Sequence, residues 1–141
     1  MNKKTLAKKV VDAMYSKDGF SRWLGIKVIK IEPGHCILKM KVRHEMLNGF
    51  AIAHGGITYS LADSALAFAS NSHGRKALSI ETSISHTESL KEGDVITAEA
   101  KEISLSGKIG LYHITVSKQG NKKVAFFKGI VYRTSQDWFP E

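Results

Sequence analysis

The hydrophobic pattern of this chain is centred on one stretch, residues 55–72, which holds its longest run of apolar and small side chains. Placed on a helix, these side chains occupy every side of it, which is typical of a buried helix. The run contains one charged residue, Asp63. A charge in a buried helix is costly unless another group pairs with it or the protein uses it. The pattern therefore predicts a central helix over about 55–72 that carries one carboxylate needing an explanation.

The residues before this run predict a surface helix and a strand hairpin. Residues 4–16 place apolar side chains on one side and lysines on the other, which predicts a helix. The segment 20–24, with two aromatic residues and a leucine, is expected to turn onto the core. Residues 26–31 and 37–42 alternate between apolar and polar positions, as strands do. The alternation slips by one residue at Val28-Ile29, which predicts a β-bulge.

Four further strands are predicted after the central run. Alternating or β-branched segments occupy residues 77–87, 95–105, 109–116 and 124–132, with polar turns between them. Such spacing is typical of an antiparallel meander. A helix that is apolar all round must be surrounded, so the simplest architecture wraps one curved sheet of six antiparallel strands around it. The predicted class is α+β, and the predicted arrangement is the hotdog fold.

Composition and charge limit the classes of function. At 141 residues the chain is most simply one domain, and its net charge of +8 favours an anionic partner. Nucleic acid, an acidic membrane surface and a nucleotide-bearing small molecule all meet that description. The basic residues are scattered and line no single helix, so we expect neither a nucleic-acid partner nor a membrane.

Cysteine content and the amino-terminal sequence predict a cytoplasmic protein. The single cysteine, Cys36, has no second cysteine in the chain to pair with and fits a reducing compartment. The basic first twenty residues lack the apolar core of a secretory signal. The six histidines have no ligand spacing with Cys36 or with one another, so no metal site is expected.

Candidate chemistry lies at the start and in the middle of the central helix. His54, Gly55 and Gly56 precede or begin it, where free backbone amides and the helix dipole favour a ligand oxygen. The same glycines also fit a tight turn with no chemical role. Asp63 is either a general base or nucleophile, or a structural carboxylate bonded to neighbouring hydroxyls such as that of Ser64. Asn48, before a glycine, is first of all a turn residue.

Taken together, these motifs resemble the hotdog-fold acyl-coenzyme A thioesterases of the phenylacetic-acid degradation type. The resemblance is carried by Asn48-Gly49, by His54-Gly55-Gly56 and by Leu61-Ala62-Asp63-Ser64-Ala65, with softer matches from Gly93-Asp94 to Tyr132-Arg133. It covers roughly residues 20 to 134. It implies an enzyme that releases free coenzyme A and a carboxylate, with an aryl-acetyl group as the leading acyl candidate. Coenzyme A would be part of the substrate, and no separate cofactor is implied.

The resemblance also implies a role for each matching residue. The Gly55 amide would bind the thioester oxygen, and Asp63 would attack directly or through water. Asn48 would hold that water or the carbonyl group, and His54 would brace the loop. Three further residues would lie at the substrate: Gly56 beside the amide, Ser64 orienting the carboxylate, and Ser79 at a hydroxyl position used by relatives.

One segment departs from the family pattern. Where many relatives have an aromatic-Leu-Arg-Pro run, this chain has His86-Thr87-Glu88-Ser89, which puts a phosphate contact from this segment in question.

Two other activities fit parts of the sequence. A hotdog hydratase or dehydratase would need a histidine paired with an acid, to which His54 and Asp63 are a loose match. A non-catalytic acyl-coenzyme A sensor would need no base at all.

The spacing of the two principal candidates predicts an oligomer. Gly55 and Asp63 are eight residues apart, or about 12 Å along a helix axis. A donor and a base must both reach one carbonyl group, at about 3 Å each. One chain cannot achieve this without breaking the helix. If both residues act, they must come from different chains, so we expect a homodimer with shared active sites. We also expect this dimer to assemble further as a dimer of dimers.

Overall fold

The computed structural model describes residues 1–119 and 121–141. Three α-helices and six strands account for most of the chain, with one short 3₁₀ helix at His44–Met46. In chain order they are α1 (Lys3–Lys17), α2 (Gly19–Leu24), β1 (Lys27–Glu32), β2 (His35–Lys41), α3 (Gly55–Asn71), β3 (Arg75–His86), β4 (Val95–Ser106), β5 (Ile109–Lys118) and β6 (Lys122–Asp137).

The six strands form one antiparallel sheet around α3, which confirms the predicted hotdog fold. The strand order is β1-β2-β4-β5-β6-β3, so β1 and β3 are the two edges. Helix α3 contacts every strand from β2 to β6. Its Leu66 approaches β6 so closely that a Cβ atom on Gly129 would lie 2.5 Å from the Leu66 Cδ2 atom. Only a glycine allows the helix and the sheet to pack at this distance.

The slip in the apolar alternation of the first hairpin is a bulge, as predicted. The pairing of β1 with β2 shifts between Val28 and Lys30, so Ile29 is the extra residue. Ile29 is 56% exposed, because the bulge turns its side chain away from the core.

The prediction that segment 20–24 turns onto the core is wrong for its two aromatic residues. Leu24 is fully buried, but Phe20 and Trp23 are 56% and 50% exposed. Their rings stack on each other with centroids 6.3 Å apart, and the Arg43 guanidinium lies 4.9 Å from the Trp23 ring. A six-residue helix can present only one face to the core, and here that face carries Leu24 and Ser21.

The expectation that α3 is covered on all sides also needs correction. A stripe along one face, which includes Tyr59, Asp63 and Ala67, remains partly exposed. This stripe lies on the side of the helix towards β3, where the Tyr59 hydroxyl is hydrogen-bonded to Thr82, and within the described residues β3 pairs with β6 alone. One chain therefore leaves a strand edge and a helix face uncovered side by side.

No helix in the described parts of the chain combines the length and the hydrophobicity needed to cross a bilayer.

Candidate active site

The first residue before α3, His54, is the cap of that helix. Its backbone is extended, with φ −62° and ψ 136°, and its Nδ1 atom accepts a hydrogen bond of 2.9 Å from the Gly56 amide. Its own amide donates to the Met46 carbonyl at 2.8 Å. His54 thus joins the loop to the helix.

This cap leaves the Gly55 amide as the free donor at the helix start. The Gly56 amide is occupied by the His54 ring. Within the described residues, no acceptor is found for the Gly55 amide. Gly55 has no side chain and is solvent-exposed, so a ligand oxygen can reach its N–H group at the positive end of the helix dipole.

Asn48 organises the loop that faces this amide. Its Oδ1 atom accepts hydrogen bonds from the Phe50 amide at 2.8 Å and the Ile52 amide at 3.4 Å. The turn that it closes holds Ala51 at a positive φ of 61°. The side-chain oxygen of Asn48 is therefore committed to the loop. Its Nδ2 group has no acceptor among the residues that the structure describes, so the chemistry it can offer is hydrogen-bond donation.

Asn48 and Gly55 line the same depression, which we call the Gly55 groove. Its volume is about 380 Å³, and its walls include Asn48, Ile52, Gly55, Thr58, His86 and Glu88. The His86 ring lies against Gly55: its Nε2 atom would be 3.4 Å from a Cβ atom placed there. The segment that departs from the family pattern therefore forms one wall of this groove.

Asp63 is the one carboxylate that is both partly buried and unpaired in the described residues. It makes no hydrogen bond or salt bridge there, which argues against the structural explanation of its presence. Burial raises the pKa of the Asp63 carboxyl above its ordinary value. A carboxylate with a raised pKa is a better proton acceptor than an ordinary one.

The hydroxyl of Ser64 points to a different neighbour. Its Oγ atom lies 2.8 Å from Ser21 Oγ, which in turn donates to Asp18 Oδ2 at 2.6 Å. Ser64 therefore connects α3 to α2 and makes no described bond to Asp63. The structure does not bring it together with the other candidate residues.

Ser79, in contrast, lies beside Asp63 in a second depression, which we call the Asp63 groove. Its volume is about 410 Å³ and its lining is mostly apolar. Helix α3 contributes one face to it, and β3 contributes the other wall. The lining includes Met14, Asp63, Leu66, Ser79, Val131 and Trp138.

The two grooves lie at opposite ends of β3. The Asp63 groove includes residues 76–79, near its start, whereas the Gly55 groove begins at His86, its last residue. Ser79 and His86 are seven residues apart, or about 23 Å along a strand. The structure thus brings Asn48, His54, Gly55 and Gly56 together, and separately brings Asp63 and Ser79 together.

Two residues at the Asp63 groove were not anticipated from the sequence, Lys76 and Trp138. Trp138 is in the carboxy-terminal tail, far along the chain from every motif. No spacing rule could have placed it in the lining of the Asp63 groove, because its position depends on the length of β6 and on the register of its pairing with β3.

Comparison with known proteins identifies the family of this chain. The family model of the thioesterase superfamily matches residues 50–125. A putative esterase of Archaeoglobus fulgidus is 41% identical over 138 residues, covering 98% of this chain and 90% of that protein. The acyl-coenzyme A thioesterase PaaI of Escherichia coli is 37% identical over 121 residues, covering 86% of each.

A solved structure gives the same result for the fold. The structure of the E. coli PaaI protein from the phenylacetic acid degradation operon superimposes with a TM-score of 0.94 at 34% identity. The match covers 96% of this chain and 99% of that one. The chain therefore belongs to the thioesterase superfamily, among its PaaI-like acyl-coenzyme A thioesterases.

Proposed function

We propose that this protein hydrolyses acyl-coenzyme A at sites shared between two chains, with Asp63 of one and Gly55 of the other acting on the same thioester. The observation that carries the proposal is the Asp63 carboxylate, which is partly buried, unpaired among the described residues and set in an apolar groove. An unpaired charge at such a position is costly. Its retention is explained if it takes part in a reaction.

The two grooves supply complementary parts of one reaction. Asp63 takes a proton from water, and that water attacks the carbonyl carbon of the thioester. The carbonyl oxygen gains negative charge and receives a hydrogen bond from the free Gly55 amide. Asn48 Nδ2 donates to the water or to the carbonyl oxygen. The tetrahedral intermediate then collapses: the C–S bond breaks, Asp63 returns its proton to the departing sulfur, and coenzyme A and a carboxylic acid are released. No cofactor is required.

The uncovered edge of the sheet supports the assembly. Strand β3 is twelve residues long and pairs on one side only, and its Leu78 and Ile80 are 68% and 60% exposed. A long apolar edge strand is a template for pairing with another chain. Phe50, in the loop beside the Gly55 groove, is 86% exposed and would also be covered.

Antiparallel pairing of β3 with its own copy would join the grooves. A two-fold axis near residue 81, close to the middle of the strand, would place Lys76 of one chain beside His86 of the other. Lys76 lines the Asp63 groove and His86 lines the Gly55 groove. Each axis thus generates two complete sites, and pairs of such dimers form the proposed dimer of dimers.

An aryl-acetyl thioester is the proposed substrate class. The apolar lining of the Asp63 groove suits an aryl or aliphatic acyl group. The similar E. coli protein comes from the phenylacetic acid degradation operon, which favours the aryl-acetyl group. The net charge of +8 would attract the phosphates of coenzyme A.

Thiol release tests the activity directly. The wild-type protein, Asp63→Asn and the control Asp12→Asn, which changes an exposed helical aspartate, are assayed with phenylacetyl-, hexanoyl- and palmitoyl-coenzyme A. We expect Asp63→Asn to lower kcat by about 10² to 10⁴ and the control to leave it unchanged. Absence of thiol release from every substrate, together with tight binding of one, would instead indicate a sensor.

A further inference from the structure

The carboxy-terminal tail is fixed to the end of α3 through Trp138. Just after β6, the Trp138 amide donates to the Gly74 carbonyl at 2.8 Å, one step beyond the Arg75–Asp137 pair of β3 and β6. The indole Nε1 group donates to Asn71 Oδ1 at 2.9 Å. The Lys76 ammonium lies 5.2 Å from the centre of the indole ring. The backbone of Trp138, the edge of its ring and the face of its ring therefore each contact a neighbouring group.

Asn71, the partner of the indole, is itself immobilised. Its side chain is 2% exposed. Its Nδ2 group donates to the Ala67 carbonyl at 2.8 Å and to the Ala77 carbonyl at 3.1 Å, and its Oδ1 atom accepts from the Ala77 amide at 2.9 Å. The position of the Trp138 ring is thus determined by a rigid junction between α3 and β3.

This junction lies at the far end of the Asp63 groove. Both Asp63 and Asn71 line the groove from the same face of α3, together with Leu66, Ala67 and Ser70. Eight residues separate Asp63 from Asn71, or about 12 Å along the helix. A group bound with its carbonyl at Asp63 would extend along apolar side chains towards Trp138.

We propose that Trp138 forms the end wall of the acyl pocket and so limits the size of the acyl group that is hydrolysed. The inference rests on the proposed function, because it takes Asp63 as the reacting end of the groove. The lining supports an acyl occupant over the coenzyme, because it is apolar and contains Lys76 as its one cation among the described residues. Trp138 is a specificity residue here, and it takes no part in bond breaking.

The neighbouring tail aromatic provides a matched control. Phe139 is absent from the lining of the groove, and the Lys9 ammonium of α1 lies 4.1 Å from its ring centre. Phenylacetyl- and dodecanoyl-coenzyme A are compared in the wild type, Trp138→Ala, Trp138→Phe and Phe139→Ala. We expect Trp138→Ala to raise kcat/KM for the dodecanoyl thioester relative to the phenylacetyl thioester by about tenfold or more.

The two other variants separate a wall from a merely structural role. Trp138→Phe keeps a ring but loses the bond to Asn71, so its selectivity should stay near that of the wild type. Phe139→Ala should leave the ratio unchanged. An unchanged ratio in Trp138→Ala overturns the inference, and so does an equal loss of kcat/KM for both substrates, which would indicate a contact with the coenzyme.

A binding measurement distinguishes failure of the inference from failure of the proposed function. The chain has two tryptophans, so the Trp23→Phe variant reports on Trp138 alone. Titration with a non-hydrolysable phenylacetyl-coenzyme A thioether should change its fluorescence, whereas free coenzyme A should not. A fluorescence change with the thioether but not with free coenzyme A, in a protein that releases no thiol, would refute hydrolysis and still support the acyl pocket. No difference between the two ligands would overturn the pocket, whatever the activity.

Discussion

At its first residue α3 presents a free backbone amide to solvent, whereas at its last turn every polar side chain is buried and bonded. Gly55 has no described acceptor for its N–H group. Asn71 and Ser72 are 2% and 0% exposed. Ser72 Oγ donates to the Ala69 carbonyl at 2.6 Å and accepts from the Gly34 amide at 2.8 Å. One end is left open and the other is closed by side chains.

The difference shows how one helix can serve both the reaction and the fold. An unpaired amide is tolerated at the Gly55 end because water, or a substrate oxygen, can satisfy it. At the Asn71 end the polar side chains are buried, and other groups of the chain are their hydrogen-bond partners. Changes at the open end should therefore affect catalysis with little loss of stability. Changes at the closed end should lower stability with little direct effect on catalysis.

The largest effect is expected from Gly55→Pro. Proline is favoured at the first helical position, and the extended backbone of His54 suits a following proline. The substitution removes the N–H group, which has no described partner in the fold, and adds the carbons of the proline ring. We expect kcat to fall by about 10² to 10³ with the melting temperature retained.

Gly55→Ala is the control, because it adds a methyl group and keeps the N–H group. A Cβ atom there would lie 3.4 Å from His86 Nε2, which the ring can accommodate. Alanine should therefore retain more activity than proline. Equal activity in the two variants would show that the Gly55 amide is not the donor. Steady-state kinetics with phenylacetyl-coenzyme A and thermal melts provide both readouts.

The next effect is expected at the closed end, from Asn71→Ala. The substitution leaves the Ala77 amide and carbonyl without their side-chain partner in a buried position. We expect the free energy of unfolding to fall by about 3 kcal/mol. The control Asn2→Ala removes an exposed helix cap and should cost about 1 kcal/mol. Denaturant unfolding measures both, and equal losses would contradict the contrast between the two ends.

The smallest effect concerns the pH dependence of stability at Asp63. Because burial raises the pKa of this carboxyl, the folded state binds its proton more tightly than the unfolded state does. The stability contributed by Asp63 therefore falls as the pH rises from the ordinary aspartate pKa through the raised one. The side-chain amide that replaces this carboxyl in the Asp63→Asn variant does not titrate. The variant should thus gain stability relative to the wild type between about pH 4 and pH 7.

Melting temperatures of the wild type and Asp63→Asn at both pH values provide the check. Asp12→Asn, which changes an exposed and paired carboxylate, should show no comparable increase with pH. A difference between the Asp63 variant and the wild type that stays constant across the interval would mean that Asp63 is not desolvated as described.

The sequence predicted the open end of α3 better than the closed one. The elements and their order could be read from periodicity, because apolar alternation and helical spacing are local signals. The His-Gly-Gly start was recognisable for the same reason. The exposed Phe20 and Trp23 were predicted wrongly, since periodicity over five residues does not show which side of a short helix faces the core.

The groove itself could not be predicted, because its walls come from distant parts of the chain. Asp63, Ser79 and Trp138 line one groove only once β3 and β6 have paired. Asn71, the last residue of the helix, likewise binds a tail that is distant in sequence. Similarly, Ser64 follows Asp63 in sequence but points to Ser21, since adjacent residues on a helix are about 100° apart.

Mixing two inactive variants tests the central claim, that Gly55 and Asp63 act on one thioester from different chains. Gly55→Pro and Asp63→Asn are mixed in equal amounts under conditions in which native mass spectrometry verifies subunit exchange. Half of the dimers are then mixed, and each of these has one intact site and one site with both defects. Activity should return to roughly a quarter of the wild-type value. If exchange is complete and no activity returns, the two residues belong to one chain's site or to different reactions, and the shared-site account is wrong.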